Sequence, residues 1–285
     1  MDILEIKEIV RCIDPSLSVT GAESFRSEED GGAYHVWKIS TDDRLLVLKK
    51  ITQQEQDVYR MFFSERDPVP MIYGFCKGWM LMEFIPGHTL SHCRREDLIP
   101  ALDALIELQK KFWNRADFSG IGFDFDTCYA SRKKRLPYLE DLTDCYGAYL
   151  ESFRRVPRTL CNDDLLPFNV IIHDSRAVFL DWEYGGILPY PCALARLIAY
   201  GEEAEDALFH MKREDQIFAV EYYYENLIKE KGISYEEYIR TMKLFFFKEY
   251  SEWIYCAGLS GDRSGEYYRK YAPLARKIAA ELGYK

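Results

Sequence analysis

A chain of 285 residues with 37 basic and 47 acidic side chains carries a formal net charge of −10, the wrong sign for binding a phosphate backbone, so no nucleic-acid partner is expected. Its 48% hydrophobic and 15% aromatic residues are spread along the whole length, enough for one large domain or two lobes and unlike a disordered chain.

The chain opens on MDILEIKEIVRCID, where Ile3, Ile6, Ile9 and Val10 recur at helical spacing. This acidic amphipathic segment lacks the basic start and apolar run of a signal peptide. No stretch approaches a membrane span, and the eight cysteines stand singly with no C-x-x-C pair for a zinc site, so a reduced, cytoplasmic protein is expected. Strand texture follows, with Tyr34–Ile39 and Leu45–Lys49 as β-rich runs around a Thr41-Asp42-Asp43 turn. Residues 52–64 are expected to be a helix with Thr52 as N-cap and Glu55 completing a capping box. Two more strands are expected at 71–75 and 79–84, and Pro86-Gly87 ends them. Beyond, Leu98, Leu102, Leu105, Ile106 and Phe112 mark one face of a long helix. A second helix is expected over 137–153, then a strand pair at 170–172 and 177–180, then helices from 193 to the end. The layout is α+β with segregated lobes: residues 1–87 rich in strands, residues 88–285 rich in helices, and a cleft between them as the natural ligand site.

The chemistry concentrates in Leu160-Cys161-Asn162-Asp163-Asp164-Leu165-Leu166-Pro167-Phe168-Asn169 and in Phe179-Leu180-Asp181-Trp182-Glu183-Tyr184-Gly185-Gly186. Phosphoryl transfer needs a group that orients the attacking hydroxyl and oxygen ligands that hold Mg²⁺ on the phosphates. An Asp, an Asn five residues later and an Asp at a strand end twelve residues after that supply such a set. The pattern resembles the catalytic loop and metal-binding strand end of the aminoglycoside phosphotransferase and choline kinase superfamily, somewhat closer to its choline and ethanolamine kinase branch. The resemblance implies a bilobal protein-kinase-like fold, with an antiparallel N-terminal β lobe for the nucleotide and a helical C-terminal lobe for catalysis and substrate. It makes Asp164 the catalytic base, and Asn169 and Asp181 the ligands of Mg²⁺, with Glu183 in support. Lys49 would contact the phosphates of ATP or GTP with Glu55 as its ion-pair partner, although Lys50 competes because strand register is open. Glu83, Phe84 and Ile85 correspond to the adenine-binding hinge, and Gly31 and Gly32 to the loop covering the nucleotide.

Two positions depart from the family pattern. Asn162 stands where His is usual, and Ala193 replaces an acidic residue. The implied activity is transfer of the γ-phosphoryl group to a hydroxyl of a small, cationic molecule such as choline, ethanolamine or an aminoglycoside. The alternative is a kinase-shaped binding or structural protein without catalysis. A protein kinase is disfavoured, since no D-F-G or A-P-E occurs where that class requires them. Trp253, Tyr255, Tyr222 and Glu252 are candidates for a cation-binding aromatic wall, with core packing as the ordinary explanation.

Overall fold

The structure, a computed structural model, describes residues 1–26, 33–64 and 67–284. The N-terminal part runs α1 (Ile3–Ile13), β1 (Val19–Arg26), β2 (Ala33–Thr41), β3 (Leu45–Lys50), α2 (Gln53–Phe62), β4 (Ile72–Cys76) and β5 (Trp79–Glu83). The C-terminal part runs β6 (His88–Thr89), α3 (Arg95–Lys111), α4 (Phe125–Lys133), α5 (Thr143–Arg155), β7 (Arg158–Asn162), β8 (Val170–His173), β9 (Arg176–Phe179), β10 (Gly185–Pro189) and α6 (Pro191–Ile198). It ends with α7 (Arg213–Tyr223), α8 (Tyr235–Ser260) and α9 (Glu266–Glu281).

Alternation along β3 and β5 decides what each face of the first sheet does. The sheet is antiparallel in the order β1-β2-β3-β5-β4. Leu46, Leu48, Trp79 and Leu81 point to one side and pack with Ile6 and Val10 of α1. Val47, Met80 and Met82 point to the other and join Val58 and Phe62 of α2 in the main core. Lys49 therefore shares the face of Val47, and Lys50 that of Leu48. Helix α1 is fastened at its start by a capping box, in which Asp2 accepts from the backbone of Leu4 and Glu5 while the Glu5 carboxylate accepts from the backbone of Asp2.

Helix α2 departs from the expected capping box. Thr52 caps it by accepting from the Glu55 backbone at 3.1 Å, but the Glu55 carboxylate turns to Lys49 instead of returning to the cap. The cysteines are not all isolated either: Cys12 of α1 and Cys76 of β4 form a disulfide, which pins the helix to the sheet edge.

The passage into the second part is close. A Cβ on Gly87 would lie 2.3 Å from the Ile172 carbonyl oxygen, so only glycine lets β6 pair with β8 at this point. Helix α3 and the β8–β9 hairpin form as expected, whereas the helix expected from 137 begins at Thr143 after 3₁₀ turns at 136–138 and 140–142. The antiparallel pair β7–β10 is the main omission of the sequence reading. Its strands are short, and β10 contains Gly185, Gly186 and Pro189, residues that weaken any strand pattern. Residues 199–212, expected to be helical, are mostly irregular. Among the described residues no helix is long and apolar enough to cross a membrane.

Candidate active site

The buried pair β7–β10 presents the loop that follows β7 beside the end of β9. Asn162 ends β7 fully enclosed, and its side chain ties the two segments together. Its amide nitrogen donates to the Asp181 carbonyl at 2.8 Å and to the Leu180 carbonyl at 3.4 Å. Its amide oxygen accepts from the Asp164 backbone at 2.9 Å. Asn169, at the end of a 3₁₀ turn begun by Pro167, donates its side-chain amide to the Asp164 carbonyl at 2.9 Å, and the Leu180 backbone donates to the Asn169 carbonyl at 2.8 Å. Three of these hydrogen bonds join the Asp164 loop to the Asp181 strand end, and the other two brace the loop itself. Asp181 has φ +54, the left-handed region that a non-glycine residue seldom occupies and that active sites hold under constraint.

Across the cleft, the register of β3 sends Lys49 to this strand end. Its Nζ lies 2.6 Å from Glu55 Oε1 and 2.8 Å from Asp181 Oδ1. Burial alone would lower the Lys49 ammonium, but Asp181 and Glu55 outweigh it and hold the group charged above its ordinary value. Burial also lifts the Glu55 carboxyl above the usual carboxylate range against the pull of Lys49. Lys50, the competing candidate, projects from the opposite face with its Nζ 5.0 Å from the Trp79 ring.

Asp163, next to the central Asp164, points away from the cleft to Arg132 of α4, whose Nη2 meets both carboxylate oxygens at 2.6 and 2.8 Å. Burial would raise the Asp163 carboxyl, yet Arg132 prevails and keeps it low. Asp164 meets another cation: Arg196 of α6 reaches its Oδ1 through Nη2 at 2.7 Å and Nε at 3.2 Å. Burial raises the Asp164 carboxyl above its ordinary value in spite of Arg196.

The remaining expected residues fall in several places. Glu83 closes β5, and the backbones of Phe84 and Ile85 make no backbone hydrogen bond among the described residues, leaving them available at the cleft edge. Gly31 and Gly32 lie outside the described residues. Glu183 contributes its carbonyl, which accepts from Gln54 of α2 at 2.6 Å. Ala193 is completely buried in α6. The four aromatic-wall candidates separate: Trp253 joins Tyr200, Tyr250 and Tyr271 in a cluster that touches the Asp164 loop through Leu166. Tyr255 stacks edge-on with Tyr138, Glu252 pairs with Arg135, and Tyr222 donates to Asp103, all away from that cluster.

Arg196 and Glu249 escaped the sequence reading, and Arg132, in the charge run Arg132-Lys133-Lys134-Arg135 whose ordinary explanation is a solvated surface, is instead buried against Asp163. One signal was available: Arg196 is the single charged residue in Pro191-Cys192-Ala193-Leu194-Ala195-Arg196-Leu197-Ile198, a helix otherwise apolar on every side. A charge in such a setting needs a buried partner.

No three His, Cys, Asp or Glu side chains converge among the described residues. A divalent ion here would be held by Asn169 Oδ1 and Asp181 Oδ2, neither of which has a hydrogen-bond partner among the described residues, together with phosphate and water oxygens. That sparse, hard-oxygen set suits Mg²⁺.

A five-stranded antiparallel sheet carrying a buried Lys–Glu pair, set against a helical part carrying an Asp-x-x-x-x-Asn loop, defines a phosphotransferase of the protein-kinase-like fold. Residues 28–224 match the phosphotransferase enzyme family, and the chain belongs to it. Protein LicA of Haemophilus influenzae is 26% identical over 147 residues, 50% of this chain and 52% of that protein, so the chain spans about half the length of the curated relatives it matches. Among solved structures, choline kinase LicA from Streptococcus pneumoniae superposes with a TM-score of 0.64 at 18% identity, covering 97% of this chain and 99% of that one. The aminoglycoside phosphotransferase APH(4)-Ia, in a ternary complex with ADP and hygromycin B, has a TM-score of 0.60 at 15% identity, covering 98% and 96%. At these identities the likeness is one of fold.

Proposed function

We propose that this phosphotransferase moves the γ-phosphoryl group of ATP, with Mg²⁺, to the hydroxyl of a small cationic alcohol of the choline or ethanolamine type. The observation that carries the reading is the Lys49–Asp181 ion pair. It joins residues 132 apart in sequence across the cleft, at the point where phosphates and a metal ion would meet. In this reading residues 1–87 hold the nucleotide, through Lys49 and the Glu83–Ile85 backbone, and residues 88–285 hold the acceptor. Asp164 orients the acceptor hydroxyl and takes its proton. Mg²⁺, when bound to Asn169 and Asp181, would neutralise phosphate charge. Lys49, anchored by Glu55 at 2.6 Å, offers its ammonium to the phosphates.

Two observations favour a cationic acceptor. The aromatic cluster beside Leu166 includes Trp253 stacked on Tyr267 at 4.3 Å and Tyr250 stacked on Tyr271 at 5.7 Å. Aromatic faces of this kind attract quaternary and protonated amines, worth about 2 kcal/mol or more when desolvated. The net charge of −10 adds a field that draws such molecules in. The chain's relatedness to a choline kinase fold points the same way. Asn162 in place of the family His leaves a braced loop, since its side chain makes three hydrogen bonds across it.

Nucleoside-diphosphate release tests the proposal, using MgATP or MgGTP against amino alcohols, aminoglycosides and sugars with Asp164→Ala as the blank. Acceptor-dependent release with choline or ethanolamine that disappears in the variant is expected. Release that survives in Asp164→Ala would remove the assignment of the base.

A further inference from the structure

Asp164 has two carboxylate oxygens, and among the described residues only one of them is engaged. Both Nε and Nη2 of Arg196 grip Oδ1, and Oδ2 accepts no hydrogen bond. The guanidinium is itself held from behind. Its Nη1 donates to Oε2 of Glu249 in α8 at 3.0 Å, and the other Glu249 oxygen accepts from Lys248 at 2.9 Å. Its Cζ lies 5.3 Å from the centre of the Tyr200 ring, and the Tyr200 hydroxyl donates to the Glu249 carbonyl at 2.8 Å.

This arrangement is costly to build. The Glu249 side chain is only 3% exposed and that of Lys248 9%, in a region where neighbouring Leu194, Ala195 and Leu197 are fully buried. Charges taken this far from water persist only when paired and hydrogen-bonded, and an apolar residue would fill the same volume at lower cost. Packing alone therefore gives no reason for an arginine at 196. Its two-pronged contact with a single oxygen of Asp164 does. A free carboxylate turns about its Cβ–Cγ bond and offers either oxygen at any tilt, whereas reaction demands a near-attack geometry with atoms about 3–3.5 Å apart.

We propose that Arg196 is a positioning residue for phosphoryl transfer: it fixes Oδ1 of Asp164, presents Oδ2 alone to the acceptor hydroxyl, and is aimed by Glu249. The inference rests on the reading of Asp164 as the base. In the step, the acceptor oxygen bonds to the γ-phosphorus as the bond from phosphorus to the β–γ bridging oxygen breaks. The hydroxyl proton passes to Oδ2, and ADP departs with the bridging-oxygen electron pair. Arg196 exchanges no proton and touches neither substrate.

The test uses the full chain with MgATP, choline as acceptor, and water as acceptor when choline is omitted. Arg196→Met should lower kcat on the order of 10²-fold. The KM for MgATP and the thermal stabilisation by MgADP should stay at wild-type values. Arg196→Lys, which supplies one prong, should fall about tenfold, as should Glu249→Gln. The decisive comparison is the double variant: Glu249→Gln added to Arg196→Met should lower kcat no further, because Glu249 acts through the guanidinium. A merely structural role predicts losses that multiply. Wild-type kcat in Arg196→Met, or multiplying losses, overturns the proposal. If Arg196→Met shows no MgADP stabilisation and is misfolded, Arg196→Lys and Glu249→Gln decide, and wild-type rates in both refute it. Failure of the underlying reading looks different: Asp164→Ala would then match wild type, or wild type would release ADP with neither acceptor, and this inference falls with it.

Discussion

Removing the Asn162 side chain should cost both stability and rate, and the structure sets the scale. Asn162→Ala deletes three hydrogen bonds in a fully enclosed position, leaving the Asp164 N–H and the Leu180 and Asp181 carbonyls short of partners. At about 1 kcal/mol for each bond, the loss is about 3 kcal/mol. For a chain of this size that corresponds to a melting temperature lower by about 6 °C. The loop does not detach, because the Leu180–Asn169 and Asn169–Asp164 hydrogen bonds survive. Asp164 is no longer locked in place relative to Asp181, and a misplacement of about 1 Å costs on the order of 10²-fold in kcat. Calorimetric melting and ADP release on the same preparation measure the two effects together. Asn162→His is the informative control: imidazole has one donor and one acceptor nitrogen, enough to replace the Asp181 and Asp164 bonds, so it should keep most of the rate without exceeding wild type. A melting temperature within about 1 °C of wild type for Asn162→Ala, or an unchanged kcat, would refute the bracing argument.

Lys49→Met should weaken MgATP binding at least about tenfold, and its stability loss should shrink at low pH. Without the ammonium, nothing opposes the burial that already raises Glu55, so the folded state takes up a proton more readily, and the variant gains stability as pH falls from about 7.5 to 5.5. Equal losses at both values, by thermal melting, would count against it. Asp163→Asn should cost about 3–5 kcal/mol near neutral pH by leaving Arg132 buried and unpaired. Asp163 is held below its unfolded value, so its contribution is complete above about pH 4 and fades as pH falls through its folded value; the variant and wild type should converge in acid unfolding. Cys12→Ser should remove a cross-link closing 64 residues, at a cost of up to about 4 kcal/mol under non-reducing conditions and little under reducing ones. Denaturant melts with and without dithiothreitol separate the two.

What the sequence reveals is unevenly distributed, for physical reasons. Strand β2 and helices α1 and α3 announce themselves because each buries one face, so their apolar period is intact, while β3 and β5, buried on both faces, announce themselves as continuous apolar runs. The β7–β10 pair is buried on both faces and interrupted by glycine and proline, which erases the period while leaving the strands where the site needs them. The Lys49–Lys50 ambiguity is of another kind. A one-residue slip in register exchanges the two faces, and only pairing with β2 and β5 chooses between them. The disulfide between Cys12 and Cys76 depends on where α1 docks, which no spacing encodes.

Helix α8 shows why the proposed acceptor side of the site was the hardest to see. Its segment Phe245-Phe246-Phe247-Lys248-Glu249-Tyr250-Ser251-Glu252-Trp253-Ile254-Tyr255 is apolar or aromatic around most of its circumference, so periodicity names no functional face. Contacts divide it. Glu249 and Trp253, four residues apart, lie on one stripe toward Arg196, Tyr267 and the Asp164 loop. Glu252 and Tyr255, three apart, lie on another and hold Arg135 between the carboxylate and the ring. The two stripes have similar composition and opposite consequences: one completes the Arg196 brace on Asp164 and meets the aromatic cluster, the other fastens the turn after α4. The acceptor hypothesis therefore belongs to Trp253 and its stacked tyrosines. Trp253→Ala should raise the KM for choline by about tenfold or more while leaving the KM for MgATP unchanged, and Tyr255→Ala should leave both KM values in place. If steady-state kinetics show Tyr255→Ala affecting the choline KM and Trp253→Ala sparing it, the acceptor lies on the other stripe.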